Sequence, residues 1–164
     1  MTTGIDVIDL LERDHRMIDD LAEQLDAATD PVEIRRLYLR IVDELSVHEA
    51  VEQQVVFPAF KASFDETGDA TLDHRLDEHE ELNELLAEMR GLDPTGFAFV
   101  KRGSALLLEM KGHFGLEEES VFARMRAVLA PEELVELGNQ AMEVKQRWGV
   151  FPGLPTERPH NTER

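Results

Sequence analysis

The chain has 164 residues, enough for one domain with a sizeable core, and contains no cysteine. Disulfides, iron–sulfur clusters, thiolate zinc sites and cysteine nucleophiles are thereby excluded. A formal net charge of −18 opposes nucleic acid or an anionic membrane as a partner, and by itself implies only a solvated acidic surface. No apolar run approaches the roughly 20 residues that span a bilayer. Met1 to Asp9 lacks a basic stretch followed by an apolar block, so no secretory signal is expected and the expected location is cytoplasmic.

In chain order, Asp6 to about Ala28 reads as a first helix, with Ile8, Leu11, His15, Ile18, Leu21 and Leu25 at three- and four-residue steps. Asp30-Pro31 starts a second, an N-cap followed by proline at the first helical position. It runs through Ile34, Tyr38, Ile41, Leu45 and His48 to about Phe57, where Pro58 is expected to kink or end it. Asp65 to Ala70 reads as a loop. A third helix spans about Thr71 to Arg90 and carries Leu72, Leu76, His79, Leu82, Leu86 and Met89 on one face. After the break at Gly91 to Gly96, a fourth covers about Phe97 to Leu129. A fifth, shorter helix runs from Pro131 to about Arg147, and the proline-rich remainder, which Trp148 would anchor, reads as irregular. Short connections between long helices make antiparallel neighbours. The expected fold is all-α: an up-down-up-down four-helix bundle with an added C-terminal helix. The bundle would occupy residues 1–147 and an irregular tail 148–164.

Two stretches carry the chemistry: His48-Glu49-Ala50-Val51-Glu52, and His113-Phe114-Gly115-Leu116-Glu117. Each places a histidine and a glutamate four residues apart, stacked on one helix face and within the apolar stripe. A buried carboxylate needs a partner, and a metal ion would supply it. The pattern repeats. His15 and His79 lie 64 residues apart; His48 and His113, and Glu52 and Glu117, lie 65 apart. The apolar flanks follow the same offsets, so the chain is two helix hairpins of one design. Core residues alone repeat for packing reasons, but ligand-type residues have no such reason.

In an antiparallel pair His15 and His48 reach a common height, because the legs to the connection are about 13 and about 17 residues at about 1.5 Å each. His79 and His113 meet likewise. Each hairpin then offers a metal two imidazoles, and Glu52 and Glu117 reach between the metals to bridge them. Imidazole and carboxylate suit iron, manganese and zinc. A carboxylate-bridged pair with open positions points to redox iron. A ferritin-like arrangement fails on spacing, since it needs Glu-x-x-His on two helices and here the pattern falls on the first helix alone, at Glu12 to His15.

The order lone His, His-x-x-x-Glu, lone His, His-x-x-x-Glu resembles the hemerythrin-like (HHE cation-binding) family over about residues 5 to 129, and the tail Arg158-Pro159-His160 resembles endings seen there. The resemblance implies a four-helix bundle holding two iron ions joined by an oxo or hydroxo bridge. His15, His48, His79 and His113 would be terminal ligands, with Glu52 and Glu117 as bridges. Such a centre reacts with dioxygen, nitric oxide or peroxide.

The chain departs from the oxygen carriers of that family, which have a His-x-x-x-His pair on the third helix and His-x-x-x-x-Asp on the fourth. Here Arg75 and Asn83 flank His79 at four residues, Glu117 stands at the fourth position after His113, and Glu118 at the fifth. His74, the possible fifth histidine, lies about 140° from His79 around a regular helix. It reads as solvent-facing unless a π-type bulge turns it inward. With four histidines shared over two metals, both irons are expected to be nearly equivalent, each with one open site.

Other recurring polar residues stand either as partners for the imidazole N–H groups or as exposed surface: Glu44 with Glu109, and Asp19 with Asn83. Gly112 and Gly115 leave room for a small molecule or allow close helix packing. Tyr38 reads as core, and His160 is not expected to be a ligand.

The function expected is a non-haem di-iron protein reacting with peroxide, nitric oxide or dioxygen in oxidative or nitrosative stress, or in iron handling. Its partners would be a small diatomic or peroxide ligand and an unidentified electron donor, with the chain a monomer or homodimer. The alternative is a non-catalytic oxygen-binding or iron-sensing module, and a weaker one is a zinc-stabilised structural bundle.

Overall fold

A computed structural model describes residues 4–64 and 70–148, the side chains of residues 64 and 70–75 apart. Helix α1 (Val7–Ala27) starts on Asp6, whose carboxylate accepts from the Asp9 N–H at 2.8 Å. Helix α2 (Pro31–Val51) starts on Asp30, with Pro31 in the first turn as the sequence implies. A π-helical turn (Glu52–Val56) joins it to α3 (Phe57–Phe64). Then come α4 (Ala70–Gly91), α5 (Phe97–Glu117), a second π-helical turn (Glu118–Phe122), α6 (Ala123–Val128) and α7 (Pro131–Arg147). Glu133 reaches back to the Ala130 N–H at 2.8 Å and closes the start of α7.

The fold is the expected all-helical up-down-up-down bundle. Helices α1, α2, α4 and α5 pack in a ring, and α7 lies across α1, α2 and the first π turn. Pro58 does not end the second helix: the backbone runs on to Phe64. The Phe57 N–H bonds to the Glu52 carbonyl, five residues back, so the chain has already widened where the proline lacks a donor. The second π turn contains no proline, so proline is not the common cause. The first turn opens on the buried Glu52 and the second follows the buried Glu117, and the fifth residue after each glutamate is a phenylalanine that packs on an imidazole. In a regular helix that residue would point about 140° away; the wider turn brings it back.

Two apolar clusters fill the bundle. One joins Ile18, Leu25, Leu37, Ile41, Leu86 and Phe99 near the α1–α2 and α4–α5 connections. The other joins Ile8, Leu11, Val51, Phe60, Met125 and Val144 at the α7 end. A layer of buried polar side chains separates them. Tyr38 is core as expected, its ring edge-on to Phe99. Of the loop expected at Asp65 to Ala70, residues 65–69 lie outside the described residues and Ala70 opens α4; the tail from 149 with His160 and the His74 side chain also lie outside them, and Trp148 is half-exposed at the end of α7.

The glycines divide by what surrounds them. A Cβ on Gly138 would come within 2.0 Å of the Ile5 carbonyl oxygen, and one on Gly103 within 2.3 Å of the Tyr38 ring. Around Gly112 and Gly115, both exposed, there is open space, so close helix packing is not what they serve. Gly138→Ala should therefore cost about 1–3 kcal/mol by overpacking, whereas Gly112→Ala or Gly115→Ala should stabilise by up to about 1 kcal/mol through helix propensity. Urea denaturation of the metal-free variants measures both, and equal effects at Gly138 and Gly112 would contradict this packing.

Candidate metal centre

The polar layer lies where the four long helices face one another. Helix α1 supplies His15, α2 supplies His48 and Glu49, and Glu52 opens the first π turn. Helix α4 supplies His79, and α5 supplies His113 and Glu117. None of the seven is more than 5% exposed. All six expected ligands are thus brought together, and Glu49 joins them.

Their donor atoms form two groups that share Glu52: His15, His48, Glu52 and Glu117, and Glu49, Glu52, His79 and His113, with the atoms of each within 4.8 Å of one another. Glu52 turns one oxygen to each side. Its Oε1 lies 2.9 Å from His48 Nε2, and its Oε2 lies 3.4 Å from His79 Nδ1 and 3.6 Å from His113 Nε2. Glu117 does the same, with Oε1 3.2 Å from His15 Nε2 and Oε2 3.2 Å from His113 Nε2. Glu118 is the outer residue of the pair; its half-exposed carboxylate accepts from His15 Nδ1 at 2.8 Å.

Glu49 contacts His79 Nδ1 and lies 3.7 Å from His113 Nε2. Sequence reasoning missed it because a residue next to His48 sits about 100° around the helix, off the expected face. The available signal was burial on several sides. Helix α2 packs against α1, α4 and α7, and from Ile41 to Val51 only Asp43 escapes burial. The residue 65 positions after Glu49 is Phe114, which stacks on His15 with ring centroids 3.9 Å apart. The repeat therefore puts a carboxylate beside one half of the cluster and a phenyl ring beside the other. The two halves are not equivalent, contrary to the expectation from the ligand count.

Of the recurring polar residues, Glu44 is buried and Asn83 lines the cavity at His79. Asp19 and Glu109 are exposed, whereas His48 Nδ1 is 3.2 Å from Asp14 Oδ2, whose carboxylate also receives the Lys145 ammonium at 2.7 Å. Phe122 stacks over His15 and Phe57 meets His79 edge-on, as the π turns arrange. A cavity of about 700 Å³ reaches His79 between Phe57, Leu76, Gln53 and Asn83, and one of about 220 Å³ lies beside His113 and Gly112.

The residues fit a cation. Both oxygens of Glu49 and Glu52, Oε1 of Glu117 and both ring nitrogens of His79 and His113 are buried without a hydrogen-bond partner. They lie at ion-pair distances yet not in hydrogen-bond geometry, as groups converging on a common centre do. Orphaned carboxylates are costly in a protein interior, and one shared cation per group satisfies them together.

Without metal, protons take that role. Burial opposes charge on His79, but Glu49 and Glu52 outweigh it and carry its pKa to about 9. Burial likewise opposes charge on His113, but Glu117 and Glu52 carry it to about 11. Burial raises the Glu49 pKa, with the Glu52 charge adding to it; it also opposes ionisation of Glu52, but His48 and other partners hold that carboxyl well below the usual range.

A family model described as hemerythrin HHE cation binding domain matches residues 6–99. Among curated proteins, one from Nostoc sp. named DNA nickase is 23% identical over 87% of this chain and 40% of its own length. An uncharacterized hemerythrin-like protein of Schizosaccharomyces pombe is 22% identical over 95% of this chain and 78% of its own. The chain thus spans less than half of the first relative. The crystal structure of a hemerythrin HHE cation binding domain-containing protein from Mycobacterium kansasii superposes with a TM-score of 0.71 at 19% identity, covering 88% of each chain. At that identity the likeness speaks for the fold.

The histidine pKa values set a pH dependence. In the metal-free protein His79 and His113 have folded pKa values above the ordinary 6.5. Their stabilisation is therefore complete below about 6.5 and is lost as pH rises through about 9 and then about 11. A metal needs the neutral imidazoles and displaces those protons. Urea denaturation with and without metal should show the metal-free protein weakening from pH 7 to 10, so that the stabilisation by metal grows over that range. A difference that stays constant with pH would contradict this protonation scheme.

Proposed function

The chain belongs to the family of hemerythrin HHE cation binding domains, and on that premise we propose that the buried layer holds two iron ions. His15 and His48 would hold one and His79 and His113 the other, with Glu52 and Glu117 spanning both. The observation that carries this reading is the orientation of those two carboxylates, each turning one oxygen to each imidazole pair. Glu49 adds a carboxylate to the second position, which favours a hard, oxygen-tolerant ion such as iron or manganese there. The proposed set needs no fifth histidine.

When bound, iron supplies redox chemistry toward peroxide, nitric oxide or dioxygen, the small molecules for which we propose this centre serves, in stress defence or iron handling. The chain's own residues do the rest. Phe114 and Phe122 stack on His15 and keep bulk water from the first position, and Phe57 packs edge-on against His79 at the second. The cavities at His79 and His113 give small molecules access to the second. Asp14 accepts a hydrogen bond from His48 Nδ1, so that Nε2 stays free to face the centre. Strand nicking is not part of the proposal, because the similarity covers 40% of the relative so named and a net charge of −18 repels a phosphate backbone.

Two measurements test the reading. Glu52→Ala should abolish paired iron binding, because that carboxylate serves both positions, while His74→Ala should leave iron content unchanged; equal losses would refute the assignment. The iron-loaded protein should consume peroxide or nitric oxide and, once reduced, oxidise quickly in air. A long-lived dioxygen complex that releases its ligand on degassing, with no turnover, would favour the oxygen-binding alternative.

A further inference from the structure

The two halves of the cluster are closed in different ways. Over the first hairpin lies α7, brought close by Gly138 against the Ile5 backbone. From it Lys145, 2% exposed, donates to both oxygens of Asp14 at 2.7 Å. Asp14 in turn meets His48 Nδ1 at 3.2 Å, and His48 Nε2 faces Glu52 at 2.9 Å. A buried ammonium, a carboxylate and an imidazole thus form one chain from the added helix to the cluster. Lys145 lies beyond the residues that the family model matches.

The second hairpin is built differently at the related place. The residues 64 positions after Asp14 and 65 after His48 are Glu78 and His113, and there they line the cavity of about 220 Å³ together with Gly112. The larger cavity, of about 700 Å³, reaches His79 on the same half. One half is thus covered by a helix and anchored to it, and the other lies beside two cavities.

We propose that Lys145 is a positioning residue that makes the His15–His48 position a retained metal site, while the His79–His113 position is the exchangeable one. Lys145 fixes Asp14 against both rotation and solvent, and Asp14 fixes the ring of His48. A metal leaving the first position must break that chain or wait for α7 to lift, whereas one leaving the second has a cavity beside its ligands. The inference rests on the two-metal reading above.

Release of Fe(II) from the anaerobically loaded protein to a chromogenic chelator tests it without any turnover. The unaltered protein should release two irons in two phases, and His113→Ala should remove the fast one. Lys145→Met should accelerate the slow phase, by less than the about 10- to 100-fold that losing the histidine's own partner costs in affinity, with the fast phase unmoved. Lys145→Gln keeps a donor for Asp14 and tests the same point if the methionine variant does not fold; it should accelerate the slow phase less. A merely structural lysine would change both phases alike. That result, or two irons leaving in a single phase insensitive to Lys145, would overturn the inference and leave the two-metal reading standing. An unaltered protein that retains no iron would overturn both.

Discussion

Everything in this fold depends on how it tolerates a charged layer inside an apolar bundle. Four imidazoles and three carboxylates lie at 5% exposure or less between two hydrophobic clusters. Apolar packing on either side holds them in place but cannot compensate their charge, since an interior of low polarity penalises each unpaired carboxylate. The compensation is collective: every oxygen of Glu52 and Glu117 faces an imidazole, and those imidazoles face one another across the bundle. Protons satisfy the layer in part, and cations satisfy it more completely because one ion serves several donors. The same packing that makes the layer costly makes it selective, because the donors cannot spread apart to solvate themselves.

Much of this was legible in the sequence. The helical periods located the elements, the His-x-x-x-Glu spacing located the ligand faces, and the repeat at 64 and 65 residues paired them. These are local properties, fixed by helix geometry. What could not be read is tertiary. Glu49 belongs to the cluster because α4 packs on the flank of α2, which no period along α2 reveals. Pro58 read as a kink or an end because a regular helix cannot absorb it, yet a π turn had already shifted the backbone register. The link from Asp14 to Lys145 joins residues 131 apart, and neither looks like part of a metal site alone.

The repeat also shows where the two hairpins have diverged. Phe114 stands where the other hairpin has Glu49, and Glu118, which holds His15, stands where the other has Gln53. Helix α7 covers one hairpin, and cavities open on the other. Two matching pairs of histidines thus sit in an asymmetric housing, with Glu49 beside only one of them. If two metals bind as proposed, this housing would give them different access and anchoring.

The central claim is that Glu52 and Glu117 hold two iron ions side by side in this layer. X-ray absorption at the iron edge of the loaded protein tests it most directly. The account predicts an iron–iron scattering shell, lost in Glu52→Ala, together with an imidazole contribution equal to two histidines per iron. Iron that is coordinated by histidine but shows no metal neighbour would contradict it.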